Sequence, residues 1–550
     1  MKKKRPRDVA RPGKRASLSA AKATHELEEL NRVGVALSET RDVEQLLALI
    51  LQKAREITGA DAGSLYLVER ASTNSNGAGQ KRLRFELTQN DSVQFPYSEH
   101  ILPLTESSTA GYCAVHGTVI ELADAYRIPK DRPFQFNASF DKQAGYRTRS
   151  LIALPMKNGK GEVLGVLQLI NCKRNTKARL TDATAVQRNV HAFPERSVRL
   201  GLSLASQAAV AYENSKLYRD IENLFDGFVN AAVQAIEQRD PTTSGHSQRV
   251  CDMTVALAQA VDRETRGVYG DLRFSREQMK ELRYAALLHD FGKVGVREEV
   301  LIKAKKLYPS QLERLLDRFD YIRKDIEART AQQKLDALLT LPRKEAEKRM
   351  KAFDEEARRL TAELDRFAEF VAKANEPTVL PSSDFETLSE IAQKTYRDPR
   401  GAEKPYLTVD EVRLLSIPRG SLDPDERKQI EAHVVNSFHF LNQIPWTHEF
   451  ERIPEIAKAH HEKLNGKGYP NGLTSQQIPV QAKIMTICDI YDALSASDRP
   501  YKHAVPTDRA LDILKLCVKD EEIDPELFRL FLEAQVYRSA SVGKLSQSTS

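Results

Sequence analysis

The chain has 550 residues, of which 41% are hydrophobic and 29% charged, the balance of a soluble globular protein with room for two to four domains. No apolar run approaches the roughly 18 residues needed to span a bilayer, and the basic N-terminus lacks the apolar stretch of a secretory signal. Five scattered cysteines (Cys113, Cys172, Cys251, Cys488, Cys517) form no Cys-x-x-Cys pair, which fits a reducing cytoplasm and not a disulfide framework.

The formal charge of +6 is small for this length, and much of it sits in "MKKKRPRDVARPGKR", with eight Lys or Arg against one Asp. Residues 1–22 therefore read as a solvated, disordered tail. Neither membrane nor specific nucleic-acid binding is expected from it. The last residues, 541–550, read as a second disordered tail.

From residue 23 the pattern becomes ordered. "HELEELNRVGVALSETRDVEQLLALILQKAREITGADAGSLYLVE" opens with apolar residues at helical spacing and ends in the alternation of a strand. "LRFELTQ", "TVIELAD", "RSLIALPMKN" and "GEVLGVLQLIN" continue the strand pattern, and "NGKGE" between the last two is a hairpin signal. A helix followed by an antiparallel sheet with helices at its edge predicts an α+β sensor module.

This stretch resembles a GAF domain over residues 23–215. "FDKQAGYRTRSLIALPMKNGKGEVLGVLQLIN" and the closing helix "LGLSLASQAAVAYENSKLY" carry the resemblance. It implies a module that binds a small molecule or serves as a dimer platform. Cyclic-nucleotide-binding members carry an Asn-Lys…Phe…Asp-Glu motif. Here Cys172 follows Asn171, and Ser197 and Val198 follow Phe193 where the acidic pair would stand. Cyclic-nucleotide binding is therefore not carried over, and an unknown ligand or a purely structural role remains open.

A connecting helix is predicted over 216–240. Leu217, Ile221, Leu224, Phe228, Ala231 and Ala235 step by four and three, the seam of a parallel coiled-coil homodimer or one face of a packed helix.

Seven residues of the remaining chain have metal-ligand character. They are His246 in "SGHSQRV", His289 and Asp290 in "ALLHDFGKVG", His433 in "IEAHVVNSF", His460 and His461 in "AHHEKLNGKGYP", and Asp489 in "TICDIYDALSASDRPYK". Apolar helical neighbours point most of them inward. Five histidines and two aspartates on one helical bundle are too many to be satisfied as core hydrogen-bonders. Metal coordination makes them productive in a dry site. Asp290, with two oxygens, is able to bridge two cations that share a hydroxide and clamp a phosphoryl group. Nitrogen and oxygen ligands without thiolates suit iron or manganese.

These motifs resemble an HD-GYP domain of the HD phosphohydrolases, over about 226–540. Arg239 and Asp240, "GHSQRV", "AALLHDFGKVGV", "HHEKLNGKGYPNGL", "AKIMTICDIYDAL" and "DRPYK" carry it. The resemblance implies an all-α bundle that hydrolyses cyclic di-GMP to pGpG and GMP. It makes the seven residues ligands of two divalent metals and gives Lys293 a place beside the leaving oxygen. Arg499 and Lys502 would meet phosphate or guanine, and Tyr469 would be held over the substrate. Gly466 and Gly468 would let the backbone turn tightly, and Pro470 would stiffen its exit. Glu462 would orient a neighbouring ligand.

Three departures from the family pattern stand out. Thr242 replaces the glutamate that some members use for a third metal, so two metals are expected. One extra residue separates Asp489 from Arg499. Residues 304–417 are an insertion between Asp290 and His433. Within it Leu312, Leu315, Phe319, Ile322 and Ile326 step at coiled-coil spacing. So do Met350, Phe353, Ala357, Leu360, Leu364, Phe367 and Val371, with Pro342 between the two runs. They predict a helical hairpin, either a plain surface elaboration or an arm for a protein partner.

The expected protein is a cytoplasmic, GAF-regulated cyclic di-GMP phosphodiesterase. The alternatives are an HD hydrolase of another cyclic dinucleotide, and a low-turnover receptor or scaffold.

Overall fold

The computed structural model describes Arg32, Gly34 and residues 42–70, 81–93, 101–240, 244–379, 381–496 and 504–539. The two predicted tails lie outside these residues, as do Thr242, Arg499 and Lys502. The chain divides into two compact units, Met1–Phe225 and Asp226–Ser550.

In the first unit the side chain of Asp42 accepts from the backbone N–H groups of Glu44 and Gln45 and starts the helix Val43–Thr58. Gly59, at φ 72°, ends it. Seven strands follow: β1 (Ala60–Arg70), β2 (Lys81–Asn90), β3 (Ile101–Pro103), β4 (Ile120–Leu122), β5 (Leu151–Lys157), β6 (Val163–Lys173) and β7 (Val190–His191). They form one antiparallel sheet in the order β3-β2-β1-β6-β5-β4, with β7 on β6. The β5–β6 hairpin lies where "NGKGE" predicts it.

Period-two alternation divides the sheet between two cores. Leu65, Leu67, Ile152, Leu154, Leu167 and Leu169 pack with Leu46, Leu47, Ile50 and Leu51 of the first helix and with Leu204, Ala205 and Ala208. Leu151, Ala153 and Val166 pack with Cys113, Ile120 and Phe134. Asn171 takes a left-handed conformation, and its amide donates to the Tyr146 hydroxyl and the Arg147 carbonyl. The side chain that a nucleotide-binding motif would offer to a ligand is thus used inside the fold.

The helix Glu195–Arg239 contains the boundary between the units. Val229, Val233 and Ile236 on it are buried. Leu217, Ile221, Leu224 and Phe228 of the expected seam are exposed by 52, 59, 77 and 52%.

The second unit is helical. Its helices include His246–Arg263, Arg276–Leu288, Pro424–Glu431, His433–Leu441, Ile453–Lys458 and Val480–Ser495, with Thr507–Lys519 and Pro525–Glu533 packed against the last of these. Between them rises the insertion, whose helices Pro309–Thr340 and Arg343–Ala374 turn at Leu341 and Pro342. The pairs Arg323–Asp365 and Lys334–Asp354 fix them as antiparallel. Leu315, Phe319, Ile322 and Ile326 pack against Leu364, Phe367 and Val371. The same cluster takes in Leu307 from one end of the insertion and Leu414, Leu415 and Ile417 from the other. A helix Ser382–Gln393 and a two-stranded ribbon, Thr395–Arg397 with Glu403–Pro405, complete this region. At its base the Lys303 ammonium meets Glu426 at 2.7 Å, and the Tyr308 hydroxyl donates to the same carboxylate.

Candidate metal centre

Helix ends deliver most of the site. His246 is the first residue of the helix His246–Arg263, entered through Gly245 at φ 66°. His289 closes the helix Arg276–Leu288, and Asp290 opens the 3-10 turn Phe291–Gly295. His433 starts the helix His433–Leu441, and His460 and His461 follow the short helix Ile453–Lys458. Asp489 alone lies within a helix, Val480–Ser495.

Two close backbone approaches hold these ends together. A Cβ on Gly292 would collide with the carbonyl of His433 and the amide of Ser437, so only glycine lets the turn lie on that helix. Ser437 clamps the joint by donating to the His289 carbonyl at 2.8 Å and accepting from the Gly292 amide at 2.7 Å.

The seven expected ligands converge. Asp290 turns Oδ2 toward Nε2 of His246 at 3.6 Å and Nε2 of His289 at 3.5 Å. Its Oδ1 lies 3.3 Å from Nε2 of His433. Asp489 Oδ1 lies 3.2 Å from Nε2 of His246, and its Oδ2 lies 3.9 Å from Nδ1 of His461. The rings of His460 and His461 are 4.0 Å apart, and that of His460 is 4.8 Å from His289.

The hydrogen bonds assign the tautomers. Nδ1 of His289, His433 and His460 each meets a backbone carbonyl three residues back, at Ala286, Ile430 and Ala457. A carbonyl only accepts, so each Nδ1 carries the proton and each Nε2 presents a lone pair. All three Nε2 atoms are buried and without a hydrogen-bond partner. Buried nitrogen lone pairs of this kind are costly unless a cation takes them. Ligand atoms of His433, His460 and His461 lie within 4.8 Å of one another, as do those of His246, His289 and Asp290, and those of His289, His460 and Asp489. The donor set fits divalent first-row cations.

The electrostatics are those of a dry site. Burial holds His289, His460 and His461 neutral, the last with its pKa lowered to about 4. Burial opposes the imidazolium of His246 as well, but hydrogen bonds to Asp489 and Asp492 outweigh it and raise its pKa to about 9. Desolvation also opposes the charge on Asp290, and the Lys293 ammonium beside it overcomes this and keeps the carboxyl well below the usual range. Lys293 Nζ lies 2.8 Å from Asp290 Oδ2 and 3.4 Å from Asp240 Oδ2.

Tyr469 lies over His461, with ring centroids 4.8 Å apart. Gly466 takes φ 73°, and a Cβ on Gly468 would press into the backbone of Glu462 and Lys463. The Tyr469–Pro470 bond is cis.

Glu462, expected to orient a ligand, braces this loop: its carboxylate accepts from the amides of Asn471 and Leu473 at 2.8 and 2.7 Å. The structure also draws in Asp492 against His246, with Arg249 against Asp492, and Thr486, whose hydroxyl donates to the His460 carbonyl. Asp492 stands one helical turn after Asp489, a spacing that was readable in "DIYD".

Comparison with known proteins matches residues 42–212 to the GAF domain and residues 410–527 to the HD domain. The chain therefore carries a GAF domain followed by an HD domain. The HD match begins within the last residues of the insertion, and His246, His289 and Asp290 precede it. Among curated relatives, the chain is 39% identical over 115 residues to a 3'3'-cGAMP-specific phosphodiesterase of Vibrio cholerae, covering 21% of this chain and 24% of the relative. It is 38% identical over 82 residues to a cyclic di-GMP phosphodiesterase of Pseudomonas aeruginosa, covering 15% and 19%. It is 32% identical over 123 residues to a cyclic di-GMP phosphodiesterase of Thermotoga maritima, covering 22% and 32%. The chain thus spans less than a third of the length of these relatives. Among the described residues no helix is long and apolar enough to cross a membrane.

Proposed function

We propose that this chain, a GAF domain joined to an HD domain, is a metal-dependent phosphodiesterase that hydrolyses a cyclic dinucleotide, with cyclic di-GMP as first candidate. The observation that carries the reading is the placement of Asp290, whose two oxygens face imidazoles from opposite halves of the centre.

His246, His289, Asp290 and Asp489 would hold one divalent cation. His433, His460 and His461, with the other oxygen of Asp290, would hold the second. Iron or manganese suits this donor set. When bound, such ions supply Lewis acidity toward a phosphoryl group and an activated water. Lys293 keeps its proton: burial disfavours the ammonium, but Asp290 and Asp240 raise its pKa. From that position it supplies a proton to the departing ribose oxygen as water adds to phosphorus and the P–O bond breaks. Tyr469 and the glycine-bracketed backbone of its loop form the wall against which a base stacks. Arg499 and Lys502 would contact phosphate or guanine. Five free cysteines support a cytoplasmic setting, and the exposed seam on Glu195–Arg239 supports a dimer through which the GAF domain regulates the site.

A second reading, another dinucleotide, is favoured by the similarity to the Vibrio cholerae enzyme named for 3'3'-cGAMP. The test is anaerobic loading with iron or manganese, followed by separation of products from cyclic di-GMP and from 3'3'-cGAMP. Asp290→Ala serves as control. Turnover of cyclic di-GMP that the variant lacks is the expected result. Turnover of 3'3'-cGAMP alone selects the second reading. Binding without turnover of either would make the protein a receptor.

A further inference from the structure

The histidines of the centre are held from behind in two different ways. His289, His433 and His460 each follow a helical turn, and Nδ1 of each donates to the carbonyl three residues earlier. His246 is the first residue of its helix and has no preceding turn to use. Its Nδ1 instead meets Oδ2 of Asp492 at 2.7 Å. Arg249, one turn further along the same helix, fixes that carboxylate through Nε on Oδ1 at 2.7 Å and Nη2 on Oδ2 at 3.0 Å. Asp492 is itself one turn beyond Asp489, so a single helix carries a ligand and the acceptor behind its neighbour.

A carboxylate behind an imidazole makes its Nε2 a stronger ligand than a carbonyl does. The two halves of the centre differ in front as well. His246 and His289 face carboxylate oxygens of both Asp290 and Asp489. In the other group His433 approaches Asp290 alone, at 3.3 Å, and His461 approaches Asp489 alone, at 3.9 Å, so each faces one carboxylate, and His433 and His460 are backed by carbonyls. We propose that the two cation positions are unequal: the one formed by His246, His289, Asp290 and Asp489 binds more tightly and fills first, and Asp492 is the positioning residue that sets it apart. This inference rests on the metal-dependent reading above.

The test uses the full chain, stripped of metal and titrated anaerobically with Mn²⁺. Calorimetry follows affinity and electron paramagnetic resonance follows the ion. The expected wild-type result is two separate steps. The six-line signal of an isolated ion grows to one equivalent and is then lost as a second ion couples to it. Asp492→Asn keeps the shape and an acceptor oxygen but removes the charge. It should weaken the first step by roughly 10–100-fold and leave the second nearly unchanged. Arg249→Gln, which frees the carboxylate without neutralising it, should weaken the same step by less. Melting curves establish that each variant is folded, and either variant alone suffices if the other is not. Two ions bound with one common affinity, or a first step unchanged in folded variants, would overturn the inference and leave the binuclear reading standing. Failure of the wild-type protein to bind Mn²⁺ would overturn both.

Discussion

Oδ1 of Asp290 lies 3.3 Å from Nε2 of His433, although His433 comes 143 positions later in the chain. The other Asp290 oxygen faces His246 and His289, so one carboxylate joins the two groups of proposed ligands. Asp290→Ala should therefore lose both ions rather than one. Elemental analysis after desalting should find less than one equivalent, and turnover should fall by roughly 10³-fold or more. A variant that retains two equivalents would show that Asp290 is no bridge.

Gly468 has no space for a side chain. A Cβ there would lie 2.5 Å from Cα of Glu462 and 2.6 Å from its carbonyl carbon. Gly468→Ala should shift the loop and lift Tyr469 from His461. A loss of about 1–3 kcal/mol in stability is expected, with kcat lowered by up to ~10²-fold and the metal content unchanged. Loss of metal in this variant would mean that the loop supports the ligands themselves.

The base of the insertion has an acid-sensitive joint. Arg318 grips both oxygens of Glu411 at 2.7 and 3.1 Å, and the same carboxylate accepts from the Thr408 amide. Burial opposes the charge on Glu411, but these partners outweigh it and lower the pKa from 4.5. A carboxylate lowered in the folded state stabilises above its unfolded pKa, and that contribution fades as pH falls through the folded value. Glu411→Gln should cost roughly 2 kcal/mol at pH 7, and the gap to wild type should narrow on going below pH 4. Melting curves at both pH values measure it; a gap that widens in acid contradicts the assignment.

The exposed seam on the long helix gives a prediction about assembly. Ile221 and Leu224 are among its most exposed large apolar residues. Ile221→Asp with Leu224→Asp should shift a dimer toward monomer by at least ~10-fold in dissociation constant, read by sedimentation equilibrium. Metal content should not change. A wild-type protein that sediments as a monomer at micromolar concentration would remove the proposed dimer.

Much of this molecule was legible in its sequence because the signals were periodic or chemically unusual. Alternation in "LIALPMK" and "VLGVLQLIN" gave the sheet, and the stepping of Leu315, Phe319 and Ile322 gave the hairpin. Adjacent His-Asp and His-His pairs flagged the centre. The ribbon Thr395–Arg397 with Glu403–Pro405 was too short and too exposed to leave a pattern. Ser437 was invisible for another reason: a lone serine on a helix gains meaning only when another turn is laid against it. The brace from Glu462 was not readable because the path of the following loop, not the order of residues, decides which amides its carboxylate meets.

Leu307 and Leu415 belong to the same apolar cluster as the helices between them, although they flank most of the insertion. When that cluster condenses, its own contacts bring the two ends of the segment together. For the rest of the chain a hundred-residue detour then behaves as a short turn. The loop left to close between Asp290 and His433 shrinks to roughly a quarter of its nominal length, which removes about 1 kcal/mol of closure entropy. The candidate ligands can thus be brought together from sequence-distant halves at a smaller entropic cost than a separation of 143 positions implies.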